Sequence, residues 1–78
     1  MKTTRYFDSI RARTDRARIR DEWIVSVVAR PEHERKQANG RIRRWSRIHE
    51  TGGRWLRVVL LADGETVHNA FFDRGFKP

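Results

Sequence analysis

The chain has 78 residues, no cysteine, and 18 Lys+Arg against 10 Asp+Glu, for a formal net charge of +8. That length makes one domain, residues 1–78. Such a domain buries only about 60–65% of its unfolded surface, which excludes a cofactor domain or a deep substrate tunnel. Cysteine chemistry and a membrane span of ~20 apolar residues are excluded as well.

Met1–Thr4 is expected to be a loose start. Tyr6, Phe7, Ile10 and Thr14 fall at helical spacing, which predicts a first helix over about residues 5–14. Thr14–Arg20 is densely charged and either extends that helix or forms a loop. Asp21 and Glu22 put negative charge where a helix start favours it. Trp23, Ile24, Val27 and Val28 then form one apolar stripe, and Pro31 stops the chain, predicting a second helix over about residues 21–30. The β-branched run Ile24–Val28 makes a strand the competing reading.

Beyond Glu32 the pattern changes to strands and tight turns. Asn39-Gly40 reads as a two-residue hairpin turn between His33–Ala38 and Arg41–His49. Thr51-Gly52-Gly53 is the next turn. Trp55–Leu61, the most apolar strand, connects through Asp63-Gly64 to Thr66–Phe72. The strands are predicted at about residues 33–38, 41–49, 54–62 and 65–72. The fold class is α+β, with two N-terminal helices packed on a four-stranded antiparallel meander. His33–Ala38 is polar on both faces and is the expected exposed edge, which leaves the chain a monomer or a weak homodimer.

Strand parity assigns the faces. A two-residue Asp63-Gly64 turn pairs Leu60 with Val67, Val58 with Asn69 and Leu56 with Phe71 on the core side. The other side then carries Val59 with His68, Arg57 with Ala70, and Trp55 with Phe72. Arg57 and His68 become diagonal neighbours, with the small Ala70 leaving space and Trp55 and Phe72 flanking them. A four-residue loop Glu50–Gly53 puts Arg44 and Ser46 on the Arg57 face and Trp45 in the core. A three-residue loop Thr51–Gly53 instead brings Arg43, Trp45 and Arg47 beside Arg57. The four-residue loop is preferred because a tryptophan is worth burying.

Fifteen of the 18 cations are Arg. A basic surface of this kind favours polyanions, and guanidinium forks match phosphate geometry and stack on bases. RNA is the expected partner, and an acidic protein can cover the same surface. Metal-free RNA cleavage needs a proton acceptor and donor, together with cations for the charged phosphate in the transition state. His68 is the candidate for proton transfer, and Arg57 with Arg44 for holding the phosphate. Asp73 and Arg74 follow the last strand and are placed to orient them. Arg43, Arg47, Trp55 and Arg74 complete the expected nucleic-acid contacts, with Trp55 offering a stacking face. His33 lies in a polar edge segment and His49 beside a turn. No histidine pair has ligand spacing, so no metal site and no cofactor are expected. Arg11, Arg13, Arg16, Arg18 and Arg20 read most simply as a solvated helix face, with tracking of an RNA backbone as the alternative.

Three segments carry a family resemblance: Gly40-Arg41-Ile42-Arg43-Arg44-Trp45, Gly53-Arg54-Trp55-Leu56-Arg57-Val58-Val59, and Asp63-Gly64-Glu65-Thr66-Val67-His68-Asn69-Ala70-Phe71-Phe72-Asp73-Arg74. They resemble a small bacterial family of unknown function whose chains end in a His-Asn-Ala-Phe-x-Asp-Arg segment. That family is distantly similar to the RelE/ParE-like toxins. The resemblance implies an α+β fold with helices on one sheet face. By analogy it implies an RNA-cleaving, toxin-like role with an acidic antitoxin-like partner.

The expected function is RNA binding with metal-independent endoribonuclease activity of toxin type. A non-catalytic nucleic-acid-binding module and a protein-interaction module with an acidic partner are the alternatives. Met1–Ile10 has no apolar signal-peptide segment, so a cytoplasmic location is expected.

Overall fold

A computed structural model describes residues 1–78, apart from the side chains of Thr14 and Asp15. The stripe position assigned to Thr14 therefore lies outside the described side chains. Three helical segments come first: α1 (Arg5–Ile10), α2 (Thr14–Ala17) and α3 (Asp21–Ala29). Four strands follow: β1 (His33–Lys36), β2 (Ile42–Ile48), β3 (Arg54–Leu60) and β4 (Val67–Phe72). They form one antiparallel sheet in the order β1-β2-β3-β4, the predicted meander.

Local chemistry accounts for the helices. Thr4 is extended and its hydroxyl accepts from the Phe7 amide at 3.1 Å, capping α1. Phe7 and Ile10, three residues apart, bury one face of that helix. An Arg11–Asp21 ion pair ties the end of α1 to the start of α3. In α3, Asp21 and Glu22 occupy the first turn, and Ile24 and Val27 are fully buried. Pro31 then ends the helix, and Arg30 before it has left helical geometry (φ −139°, ψ 66°).

The N-terminus is not loose. Lys2 accepts from the Val67 amide at 2.9 Å, and the Thr4 amide donates to Val67 at 3.0 Å. Thr3 so pairs in parallel with Val67 and covers the first residue of the β4 edge. The opposite edge is β1, as expected, with Glu34, Arg35 and Lys36 exposed. Charges on an edge strand discourage pairing with another chain.

The turns fall where predicted, but their lengths differ, and length sets the face. Gln37 faces Arg41 across a three-residue loop that closes on Gly40 at φ +89°, a turn followed by a left-handed residue. The β2–β3 connection spans residues 49–53, with a single helical turn over His49–Thr51, and Ile48 pairs with Arg54. This places Arg44 and Ser46 on the helix side of the sheet, and Arg43, Trp45 and Arg47 on the Arg57 side. The preferred four-residue loop is thereby corrected.

The third hairpin starts in the expected register, with Leu60 opposite Val67. A bulge at His68 then shifts it by one, so Val59 faces Asn69, Val58 faces Ala70 and Arg57 faces Phe71. Ala70 consequently lies in the core at 0% exposure and not beside Arg57. Phe72 packs against the core and meets Trp23 edge-on at 6.2 Å. Phe71 takes the open face in its place.

The core between helices and sheet contains Phe7, Ile10, Ile19, Ile24 and Val27 above Leu56, Val58, Leu60 and Val67. Trp45 is also buried, at 1% exposure, but on the other side of the sheet. There the C-terminal segment covers it. Phe76 stacks on Trp45 at 4.5 Å and 15°, with His33 and Trp55 edge-on to Phe76. A tryptophan is buried as expected, under the tail instead of under the helices.

Candidate nucleic-acid interface

The open side of the sheet carries a hollow of about 370 Å³ next to this aromatic cluster. It is lined by Arg43 of β2, Arg57 and Val59 of β3, and His68, Asn69 and Phe71 of β4, together with Tyr6, Gln37 and Arg41. The bulge keeps His68 on this side, where unbroken alternation also puts it, and turns Asn69 and Phe71 here as well. The extra residue lets Val67 and Ala70 both point into the core while the imidazole swings toward α1.

His68 is held from two sides. Its Nδ1 lies 3.0 Å from the Thr4 hydroxyl, and its ring stacks on Tyr6 at 4.9 Å. A hydroxyl both donates and accepts, so this bond survives with either tautomer. The anchored ring can therefore take or give a proton at Nε2. Desolvation, and then the nearby Arg41 charge, lower its pKa below the ordinary 6.5. The lowered pKa favours the neutral imidazole, the form that accepts a proton.

Arg57 is held more tightly. Its Nε lies 3.1 Å from Asp73 Oδ2, an ion-pair distance, though out of line for a hydrogen bond. Its guanidinium sits over the Trp45 ring at 5.4 Å and the Phe71 ring at 5.0 Å. Asp73 in turn accepts from Trp45 Nε1 at 3.0 Å and from the Gly75 amide at 3.2 Å. Arg43 and Arg41 complete the cationic lining. Among the described residues neither is in a salt bridge, and no carboxylate lines the hollow. Low-dielectric walls around one sign of charge concentrate the field that an anion meets.

The structure thus brings His68, Arg57 and Arg43 together. Arg44 is on the other side of the sheet. Its Nη1 donates to the Val28 carbonyl at 2.8 Å and its Nε to Glu34 at 2.7 Å, closing the end of α3. Ser46 does similar work there, donating to the Arg30 carbonyl and accepting from the Glu32 amide, both at 3.2 Å. Arg47 is exposed and lies over Trp55 at 4.8 Å, away from the hollow. Trp55 is half-buried against Phe76 and His33. Arg74 is exposed and borders a neighbouring hollow.

Sequence reasoning missed Arg41, Asn69, Phe71 and Tyr6. Three of these depend on one-residue shifts, Arg41 on that in the β2–β3 connection and Asn69 and Phe71 on that at His68. Tyr6 is reached only because α1 packs along β4. No group of three or more His, Asp or Glu that could hold a metal stands together among the described residues. No described helix is long and apolar enough to cross a membrane. No protein-family model matches the chain, and neither a characterised protein nor a solved structure matches it.

Proposed function

We propose that the protein binds RNA in the hollow between Arg43, Arg57 and His68 and cleaves the bound strand without a metal. One observation carries this reading: three guanidiniums and one anchored imidazole line a hollow with no carboxylate among its described lining residues. Arg43 and Arg57 hold the phosphodiester and stabilise charge building on its oxygens. His68 Nε2 takes the proton from the ribose 2′-hydroxyl. The 2′-oxygen then bonds to phosphorus as the bond to the 5′-oxygen breaks. That leaving oxygen takes a proton from water, giving a 2′,3′-cyclic phosphate and a 5′-hydroxyl end. The imidazolium returns its proton to solvent. The toxin-like resemblance of Gly40–Arg74 supports the same chemistry by analogy only. A cytoplasmic setting and an acidic antitoxin-like protein covering the same arginines fit this reading.

A second reading, binding without cleavage, is favoured by the single imidazole. Among the described residues no second acid–base side chain of the carboxylate or imidazole type lines the hollow. Incubating RNA with the protein in EDTA separates the two. Cleavage to cyclic phosphate ends by the wild type, lost in His68→Ala and weakened in Arg43→Gln, is the expected result. Salt-sensitive binding with intact RNA retains only the second reading. Absence of both binding and scission overturns the two together and leaves the acidic protein partner.

A further inference from the structure

The basic lining does not stop at Phe71. A second hollow of about 260 Å³ adjoins the first and shares that ring with it. It is lined by Arg16, Arg54, Phe71, Phe72 and Arg74. Among the described residues no carboxylate lines it. Arg54 and Arg74 are exposed, and the Arg54 guanidinium lies 4.1 Å over the Phe72 ring. Arg16 links the two hollows. It sits 5.4 Å over Phe71, with Nη2 3.5 Å from Asn69 Oδ1, and Asn69 lines the first hollow.

Two cationic hollows separated by one aromatic side chain suit a ligand with repeating anions more than a mononucleotide. Aromatic and guanidinium groups alternate along the path, from the half-exposed Tyr6 through Arg57, Phe71 and Arg54. Such alternation tracks a single strand, whose bases have free faces and whose backbone can follow a bend. An A-form duplex keeps its bases stacked inside and offers these rings nothing to stack on. The geometry points to a second phosphate subsite at Arg16, Arg54 and Arg74, so that the bound RNA is single-stranded and crosses β4 over Phe71. This inference rests on the RNA reading of the first hollow and extends it.

The test is a binding titration of the full chain against an oligouridylate dinucleotide, an octanucleotide, and an RNA duplex with eight base pairs. Each is measured at several salt concentrations. The double variant R54Q/R74Q is expected to weaken octanucleotide binding about tenfold and to flatten the salt slope by about one. Its dinucleotide binding is expected to match the wild type. The charge-keeping R54K/R74K is expected to recover most of the octanucleotide affinity. R43Q, in the first hollow, should weaken both ligands. Loss with R43Q but none with R54Q/R74Q leaves the first hollow standing and removes the second. Equal proportional losses on dinucleotide and octanucleotide also remove it. A duplex bound as tightly as the single strand overturns the path. A wild type that binds none of the three overturns both proposals.

Discussion

Asp73 holds Arg57 from beneath the hollow, with Oδ2 3.1 Å from Nε and both side chains mostly shielded from water. The carboxylate lies just past β4, and its second contact is the indole of Trp45. The cation offered to a ligand is thus fixed by the segment that seals the outer face of the sheet. Removing one member of a shielded pair leaves the other desolvated and unpaired. Asp73→Ala is expected to cost about 2 kcal/mol in urea unfolding. Asp73→Asn, which keeps an acceptor for Trp45, should cost about 1 kcal/mol less than the alanine change. Wild-type stability in the alanine variant would show that the contact carries no weight.

Arg43 and Arg44 are neighbours in sequence but lie on opposite sides of the sheet. Arg43→Gln removes a cation that lines the hollow and makes no salt bridge among the described residues. It should weaken RNA binding severalfold and shift stability by less than about 0.5 kcal/mol. Arg44→Gln instead loses the bond to the Val28 carbonyl and the Glu34 ion pair. It should cost about 1–3 kcal/mol and leave RNA affinity unchanged. Paired melting and binding measurements decide the matter, and the reverse pattern would contradict the register.

His68 provides a pH test. Burial and the Arg41 charge lower its folded pKa below the unfolded 6.5, so the folded state binds fewer protons in that window. Its contribution to stability is complete above 6.5 and declines as pH falls toward the folded pKa. An NMR titration should place its midpoint below 6.5. Arg41→Gln should move the midpoint up, because a like charge has gone. An unmoved midpoint would leave desolvation as the whole cause.

Asp63 is perturbed in the same direction for a different reason. It accepts from the Thr66 hydroxyl and from the amides of Thr66 and Glu65, and its pKa falls from 3.8 to about 2. Its stabilising effect on the β3–β4 turn is present above 3.8 and lost as pH falls through about 2. Asp63→Ala should therefore melt lower than the wild type at neutral pH, and the gap should close in acid. A gap that stays constant with pH would detach the turn from this carboxylate.

The elements themselves were written in local signals. Pro31 ends α3, and turns fall at Asn39-Gly40, Thr51–Gly53 and Asp63-Gly64, which leaves four strands in the predicted order. The faces were not so written. One additional residue in the β2–β3 connection, His49, and one in the bulge at His68 each reverse which face the adjoining strand residues present. Alternation along Val67-His68-Asn69-Ala70 cannot disclose the bulge, because its cause is remote: Lys2 and Thr4 pair with Val67, and Thr4 holds the His68 ring. Arg57 and His68 reach one hollow all the same, whereas Arg44 does not.

The tail supplies the last prediction. Phe76 stands on Trp45 with His33 and Trp55 against its edges, so one ring closes a four-ring cluster on the outer face. Phe76 is itself partly exposed, which lowers the transfer free energy lost on truncation below that of a core phenylalanine. Phe76→Ala should cost about 2–3 kcal/mol and shift tryptophan emission to the red as water reaches Trp45. It should also loosen Asp73 and with it Arg57, since that carboxylate and Phe76 share the segment lying over Trp45. Weaker RNA binding should therefore accompany the red shift, although Phe76 does not line the hollow. If emission shifts and RNA affinity stays the same, the tail seals the sheet without setting Arg57. If neither changes, Trp45 is protected by Arg57 and Arg35 alone, which lie over its ring at 5.4 Å and 5.8 Å.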